Sequence, residues 1–353
     1  MSKAAIDVTL DGTAGGSKAA SVRPKALRAA ALAASAALLA VSLSACSSEG
    51  SPVENAANVP TYENPRTELD VSDKGASEAQ QAAANAASNA SKVRDASAYA
   101  SLAQSVESIM SQYGGTTSVA FVDLYSGNGF DVDGDASQYS ASMIKIAVMA
   151  ELFDRVSAGE LSLDQYQAVS SGDIVGGTGT IQSRGAGSYT LDDLCRYMII
   201  YSDNTATNVL IDLLGMDEIN AEAAKLGMTG TKLNRHMMDS AAQASGVENY
   251  TTCNDLALAF EKIWNGEFYG SELSARALEY LEGQTDSACL QQGLPSGVEF
   301  AHKTGNLTNV LNDGGIVEAA SPYVIVLLAQ DIGAGSAQSL MTEISSTVYD
   351  AVA

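Results

Sequence analysis

Three short clusters hold the residue types that acyl transfer needs. The first is Ser142-Met143-Ile144-Lys145, which opens the run Ile146–Phe153. That run is apolar on nearly every side, so it marks a buried helix. A serine at the start of such a helix faces unpaired backbone N–H groups and the positive end of the helix dipole, and both favour a developing oxyanion. Lysine three residues later lies on the same face, one turn away. Burial penalises its ammonium form, so it can take a proton from the hydroxyl. The second cluster, Ser202-Asp203-Asn204, falls between the helical patterns Thr190–Tyr201 and Thr205–Leu214. Thr190 is placed to cap the first of these, with Asp193 in the reciprocal position. A polar triplet at such a corner can aim a hydroxyl and an amide into a cleft. The third, Lys303-Thr304-Gly305, ends a strand. There a lysine and a hydroxyl can pair with a substrate carboxylate, and glycine allows close approach to the backbone. Taken singly, the first two have a plainer reading as helix caps with a snorkelling lysine.

Together and in this order, the three clusters resemble the signature of class A β-lactamases and penicillin-binding proteins. The likeness runs from about Tyr99 to the C-terminus, and the interval from Ser142 to Ser202 is the one associated with class A enzymes. The resemblance implies that Ser142 is the acylated nucleophile, Lys145 its activating partner, and Ser202 the relay to the departing ring nitrogen. It implies that Asn204 holds the substrate's side-chain amide, and that Lys303, Thr304 and Gly305 hold its carboxylate end. The backbone N–H groups of Ser142 and Asn306 would form the oxyanion hole. The implied substrate is a β-lactam or a cell-wall peptide, with no cofactor, no metal and a monomeric chain.

One part of the family pattern is missing. Class A enzymes carry an Ω-loop glutamate that positions the deacylating water, followed closely by an asparagine. Matching Thr231, Leu233 and Arg235 to the entry of that loop puts Met237 in place of the glutamate and Ala241 in place of the asparagine. Methionine can neither accept a proton nor order a water by hydrogen bonding. Asp239 stands two residues further on. It reads either as a substitute base in a rearranged loop or as an ion-pair partner of Arg235. The acylation set is intact and the deacylation set is absent or rebuilt. Three outcomes fit: a β-lactamase with slow or altered deacylation, a cell-wall peptide acyltransferase or DD-peptidase, or a β-lactam or muropeptide sensor that does not turn over.

These residues need a frame. Leu102, Val106, Ile109 and Met110 recur at helical spacing before Gly114-Gly115. Ser118–Leu124 reads as a strand, and Ser126–Gly129 turns it into a second, shorter one. Helical patterns dominate to about residue 283. Strand-like runs follow at Val298–Thr304, Gly315–Ala319 and Tyr323–Gln330, and an amphipathic stretch, Ala337–Val352, closes the chain. The pattern predicts an α/β (α+β) fold. An antiparallel five-stranded sheet flanked by the N- and C-terminal helices (98–140 and 284–353) carries an inserted all-helical lobe (141–283), with the site in the crevice.

Upstream, Lys18, Arg23, Lys25 and Arg28 precede the apolar run Ala29–Ser42, which has the length of a signal-peptide core. Leu43-Ser44-Ala45-Cys46 looks like a bacterial lipobox. That likeness implies removal of residues 1–45, a diacylglycerol on Cys46 and an extracytoplasmic, membrane-anchored protein. Residues 46–97, rich in Ala, Ser, Asn and Glu, read as a flexible tether. With 19 Lys+Arg against 42 Asp+Glu, the net charge is −23. Such a chain does not bind nucleic acid generally, and only a lipid would hold it on an anionic bilayer.

Several other signals carry less. Asp131–Asp135 starts like a calcium loop, but Ala136 and Ser142 stand where glycine and glutamate belong, which leaves a polar turn. Gly176–Gly179 reads as a mobile cleft loop. His302 alternates with Lys303, so the two face opposite ways, and the histidine reads as a satisfied core residue. His236 carries no assignable chemistry. Cys195 reads as a buried free thiol; with Cys253 and Cys289 the count is odd, so any disulfide leaves one cysteine over.

Overall fold

The computed structural model describes Ser21–Arg23 and Ala98–Ala353. Cys46, the rest of the expected signal segment and the tether lie outside the described residues. In chain order the first elements are β1 (Ser21–Arg23), α1 (Ala98–Met110), β2 (Thr116–Asp123), β3 (Gly129–Val132), β4 (Gln138–Tyr139) and α2 (Lys145–Ser157). There follow β5 (Tyr166–Val169), α3 (Ile181–Arg184), β6 (Gly187–Thr190), α4 (Leu191–Ile200), α5 (Asn204–Leu214), α6 (Met216–Leu226) and α7 (Ser240–Ala244). The last are β7 (Tyr250–Thr251), α8 (Cys253–Trp264), α9 (Ser271–Glu282), β8 (Glu299–Leu307), β9 (Val310–Glu318), β10 (Tyr323–Gln330) and α10 (Ala334–Val352).

Five strands form the expected antiparallel sheet in the spatial order β3-β2-β10-β9-β8, and β1 pairs on the outer side of β3. The central strand explains the layering. Tyr323-Val-Ile-Val-Leu-Leu-Ala is apolar throughout because both of its faces are covered. Tyr323, Ile325, Leu327 and Ala329 enter a core shared with α1 and α10. Val324, Val326 and Leu328 enter the other core, built around α2, α4 and α8. Within it, Ile146–Phe153 of α2 is almost wholly buried, as its unbroken apolar run requires. Thr190 caps α4 by accepting from Asp193 N at 3.0 Å.

The structure departs from the sequence reading in two places. The inserted lobe is not purely helical, since β5 and β6 form an antiparallel ribbon and β4 pairs with β7. These strands are two to four residues long, too short for a period-two pattern to stand out. The second departure is at the outer hairpin: β8 runs on to Leu307 and β9 starts at Val310, joined through Asn309 at φ +57°. Its polar residues look like loop residues but are satisfied in place. Asn312 Nδ2 donates to the carbonyls of Tyr139 (2.8 Å) and Ser140 (3.2 Å), and its Oδ1 accepts from Ala329 N. Asp131 to Asp135 is the expected polar turn, with Asp131 accepting from Gly134 N at 3.1 Å.

Candidate active site

Ser142 lies in a 3-10 turn, Ala141–Ile144, that runs directly into α2. The turn is entered through Ala141 at φ +46°, a left-handed conformation that costs a non-glycine residue energy. Gly305 of β8 lies against this turn: a Cβ there would stand 3.0 Å from Ser140 O and 3.1 Å from Ser142 N. Glycine at this position therefore lets the strand itself come close to the Ser142 backbone.

Lys145 begins α2 and is fully buried. Its Nζ donates to Ser202 O (2.7 Å), Asn204 Oδ1 (3.0 Å) and Ser202 Oγ (3.1 Å). Burial holds its pKa well below the usual lysine range, with repulsion from Lys303 adding to the effect and Asp203 opposing it. Lys303, on β8, is also fully buried and donates to the same Ser202 Oγ at 3.0 Å and to Thr304 O at 2.8 Å. Burial pushes its pKa down to about 7, against the pull of Asp313 and Asp286. The Ser202 hydroxyl thus sits between two amines. A neutral Lys145 offers a lone pair, so Lys303, Ser202 and Lys145 can pass a proton along one chain.

Ser202 is held at φ +50°. Asp203 fixes the corner beside it: Oδ1 accepts from Ala206 N (2.9 Å) and caps α5, while Oδ2 accepts from Thr180 N (2.6 Å) and Ile181 N (2.8 Å). Asn204 spends both ends of its amide, on Lys145 and on Gly176 O at 3.1 Å. The loop Gly176–Gly179 does border the cleft. It is not free to swing, however, being tied to this corner through Thr178 Oγ1 to Ser202 O (2.7 Å) and Asn204 N to Thr178 O (3.1 Å). Gly179, at φ +126°, is packed so tightly on Asp203 that a side chain there would overlap its carboxylate.

Ser142, Ser202, Asn204, Thr304 and Asn306 line one cleft of about 290 Å³, with Lys145 and Lys303 buried behind its wall. Met237 and Met238 line it too. Asn208 fastens this segment, its amide pairing with Met237 N (2.8 Å) and Met237 O (3.0 Å). Asp239 is outside the cleft lining and caps α7, accepting from Ala242 N at 2.9 Å. Its expected partner, Arg235, instead makes a buried ion pair with Glu248, Nη2 to Oε2 at 2.7 Å and Nε at 3.0 Å. Glu248 and Asp286 are the acidic residues that do line the cleft. Sequence reasoning missed both, because neither belongs to a motif; Asn249, hydrogen-bonded to Asn234, Arg235 and its carbonyl, is another such residue.

His302 faces away from Lys303, as alternation requires. It stacks on Phe300 with centroids 4.3 Å apart, and its Nδ1 lies 2.8 Å from Asp313 Oδ1. Only half of it is satisfied, since Nε2 is buried without a partner among the described residues. His236 lies 2.8 Å from Asp212. Cys195, Cys253 and Cys289 are all free and buried. Away from the cleft, Glu151, Asp154 and Glu222 lie close enough to share a cation, but Arg155 and Lys225 already ion-pair with them.

The model of the Beta-lactamase enzyme family matches residues 101–352. Beta-lactamase AER-1 of Aeromonas hydrophila is 28% identical over 208 residues, 58% of this chain and 68% of its own length. A β-lactamase structure from Sphaerobacter thermophilus is 30% identical and covers 72% of this chain and 97% of its own, with a TM-score of 0.65. A mutant of PBP-A, solved as its acyl-enzyme complex with penicillin G, is 29% identical, covers 71% and 96%, and has a TM-score of 0.66. Fold, motif order and family match agree: the chain belongs to the Beta-lactamase enzyme family, as a serine hydrolase of the class A β-lactamase and penicillin-binding-protein kind.

Proposed function

We propose that the protein is acylated at Ser142 by β-lactams and by cell-wall peptides, and that it releases the acyl group slowly. The observation that carries the reading is the hydrogen-bonded chain Lys303–Ser202–Lys145, its two amines buried, in the cleft that Ser142 lines; that cleft is also lined by Met237, the residue the sequence match sets against the family's water-activating carboxylate. In the acylation step, Ser142 Oγ attacks the substrate carbonyl and its proton passes to Lys145. For this, Lys145 exchanges one of the three oxygens it now meets, a tightening that catalytic hydrogen bonds commonly show once substrate is bound. The oxyanion lies between the N–H groups of Ser142 and Asn306, where the glycine at 305 brings the strand close. Ser202 then delivers a proton to the leaving nitrogen, and the charge of Lys303 with the Thr304 hydroxyl holds the substrate carboxylate.

The acyl-enzyme of the PBP-A mutant with penicillin G supports this by analogy of fold. The test is intact-mass spectrometry after exposure to penicillin. A single adduct that vanishes in Ser142→Ala is expected, and an adduct that persists in that variant overturns the assignment. The lipobox supports attachment through a lipid on Cys46. Labelled fatty acid should enter the wild type and not Cys46→Ser, whereas release of unlabelled protein to the medium would count against the anchor.

A further inference from the structure

On the face of the sheet that carries Phe300 lies a buried polar cluster that the acylation chemistry leaves unused. Asp313 of β9 is fully buried. Its Oδ2 accepts from Leu290 N at 3.0 Å, and its Oδ1 lies 2.8 Å from Nδ1 of the equally buried His302. An ionised carboxyl can only accept, so both contacts are hydrogen bonds when the imidazole carries its proton on Nδ1. A second proton, on Nε2, would be a buried donor with no partner to meet among the described residues. Gly315 stands opposite His302 in the ladder, and a Cβ there would fall 2.6 Å from His302 Cα and 2.7 Å from its Cβ. The strands close at this point only over a glycine.

In the same ladder Asp313 pairs with Thr304, and Lys303 with Gly314. Lys303 leaves β8 by the opposite face, and its Nζ returns to Thr304 O and to Ser202 Oγ. The charged groups set around it are Lys145 from α2, Asp286 from the loop before β8, and Asp313 from β9. α9 also packs on β8, but it brings Glu282 to Glu299 and Glu318, at the start of β8 and the end of β9. The Cys289 thiol is the remaining titratable group beside Asp313. Of the two anions near Lys303, Asp286 lines the open cleft, where solvent weakens its field. Asp313 is sealed, so its field is not screened.

We propose that Asp313, held by His302 and the Leu290 N–H, is a positioning residue that keeps Lys303 charged for the substrate carboxylate. The proposal rests on the reading of Lys303 as that carboxylate's partner. Asp313 touches no substrate and acts through the lysine across the strand. Burial drives Lys303 toward the neutral amine, and the sealed carboxylate opposes it.

Asp313→Asn tests this with little change of shape, since an amide can accept from Leu290 N and donate to the imidazole. Stopped-flow acylation by penicillin should fall near pH 7 in the wild type. In Asp313→Asn the fall should move down by about one pH unit, as expected when one opposite charge is removed. His302→Leu, which leaves the carboxyl one donor short, should move it the same way. His302→Asn, whose Nδ2 hangs from Cγ as the imidazole Nδ1 does, should return it. A residue that merely packed would change rate or stability and leave the fall where it was.

A second readout needs no acylation. Lys303 holds its proton less tightly folded than unfolded, so the Lys303 protein gains stability over its Lys303→Met counterpart only as pH rises beyond about 7. Urea unfolding of both, with and without Asp313→Asn, should show that gain starting about one pH unit lower when the carboxylate is gone. If Asp313→Asn does not fold, the two His302 variants decide. A gain that starts at the same pH, or a fall unmoved in Asp313→Asn or in His302→Leu, overturns the assignment. A wild type that forms no penicillin adduct would overturn the Ser142 reading and leave the unfolding experiment to judge Asp313.

Discussion

Lys145 and Lys303 are both sealed from solvent and share one hydroxyl, yet the proposed chemistry asks opposite things of them. Lys145 must be neutral to take the Ser142 proton, and its pKa is already well below the usual range. Lys303 must stay charged to hold a carboxylate, and its pKa is about 7. The acylation rate constant per unit of penicillin should therefore fall as pH rises through about 7, where Lys303 loses its charge. Lys303→Ala should abolish the falling limb and slow acylation roughly 10- to 100-fold, the worth of one hydrogen bond to a charged group. Stopped-flow acylation across pH checks this; a falling limb retained by Lys303→Ala would refute it. Lys145→Ala should fold and fail to acylate, as read by circular dichroism and intact mass. At this scale the sequence was most legible where chemistry ties residue types to fixed offsets, as at Ser142/Lys145 and Ser202/Asn204. Glu248 and Asp286 were illegible because an isolated acid gains meaning only from what the fold sets beside it. Asp239 misled for the same reason: its neighbour in sequence, Arg235, is matched across the loop by Glu248.

The segment from Thr231 to Thr252 is fastened at many points, and two of them, the Arg235–Glu248 pair and the Asn208–Met237 bonds, can be tested separately. Breaking the buried Arg235–Glu248 pair with Glu248→Ala should cost about 3–5 kcal/mol, because a guanidinium is left buried and unpaired. Urea unfolding measures this, and a loss under 1 kcal/mol would show that solvent or another acid replaces Glu248. Met237, held at both its N–H and C=O by Asn208, should present glutamate in the same place. Met237→Glu is therefore expected to speed deacylation by ~10²-fold or more, the usual range for a general base. A burst of acylation followed by unchanged slow turnover would show that the loop backbone does not aim that side chain at the ester. Among the elements, β10 and α2 were readable because continuous apolar runs mean burial on all sides. The outer hairpin was not, since its Asn312 and Asp313 look like loop residues until Tyr139, Ser140 and His302 supply their partners.

As a whole the chain is strongly anionic, at −23, and so is a penicillin. At low ionic strength, where the screening length is about 30 Å, encounter should be slowed by repulsion; at 0.15 M, where it is about 8 Å, the penalty should largely vanish. Acylation by an anionic penicillin should then accelerate with salt, and a zwitterionic cephalosporin should respond less. Equal responses would place the opposing charge away from the cleft. The order of strands, helices and strands was legible at this scale because each of the two sheet segments, and the lobe between them, is continuous in pattern. The pairing of Ser21–Arg23 with β3 was not, since three residues hold no period.

The three buried thiols offer an unplanned set of internal reporters. Cys195 and Cys253 belong to the core on one side of the sheet and Cys289 to the core on the other. Burial raises the pKa of each, so an alkylating reagent finds almost no thiolate until the structure opens. In a Cys46→Ser background, the alkylation rate of each thiol under native conditions becomes a clock for the opening of its own core. Matching rates at all three would mean that the two layers part in a single cooperative event. Earlier labelling of Cys289 would mean that α1 and α10 peel away while the lobe that carries Ser142 stays closed.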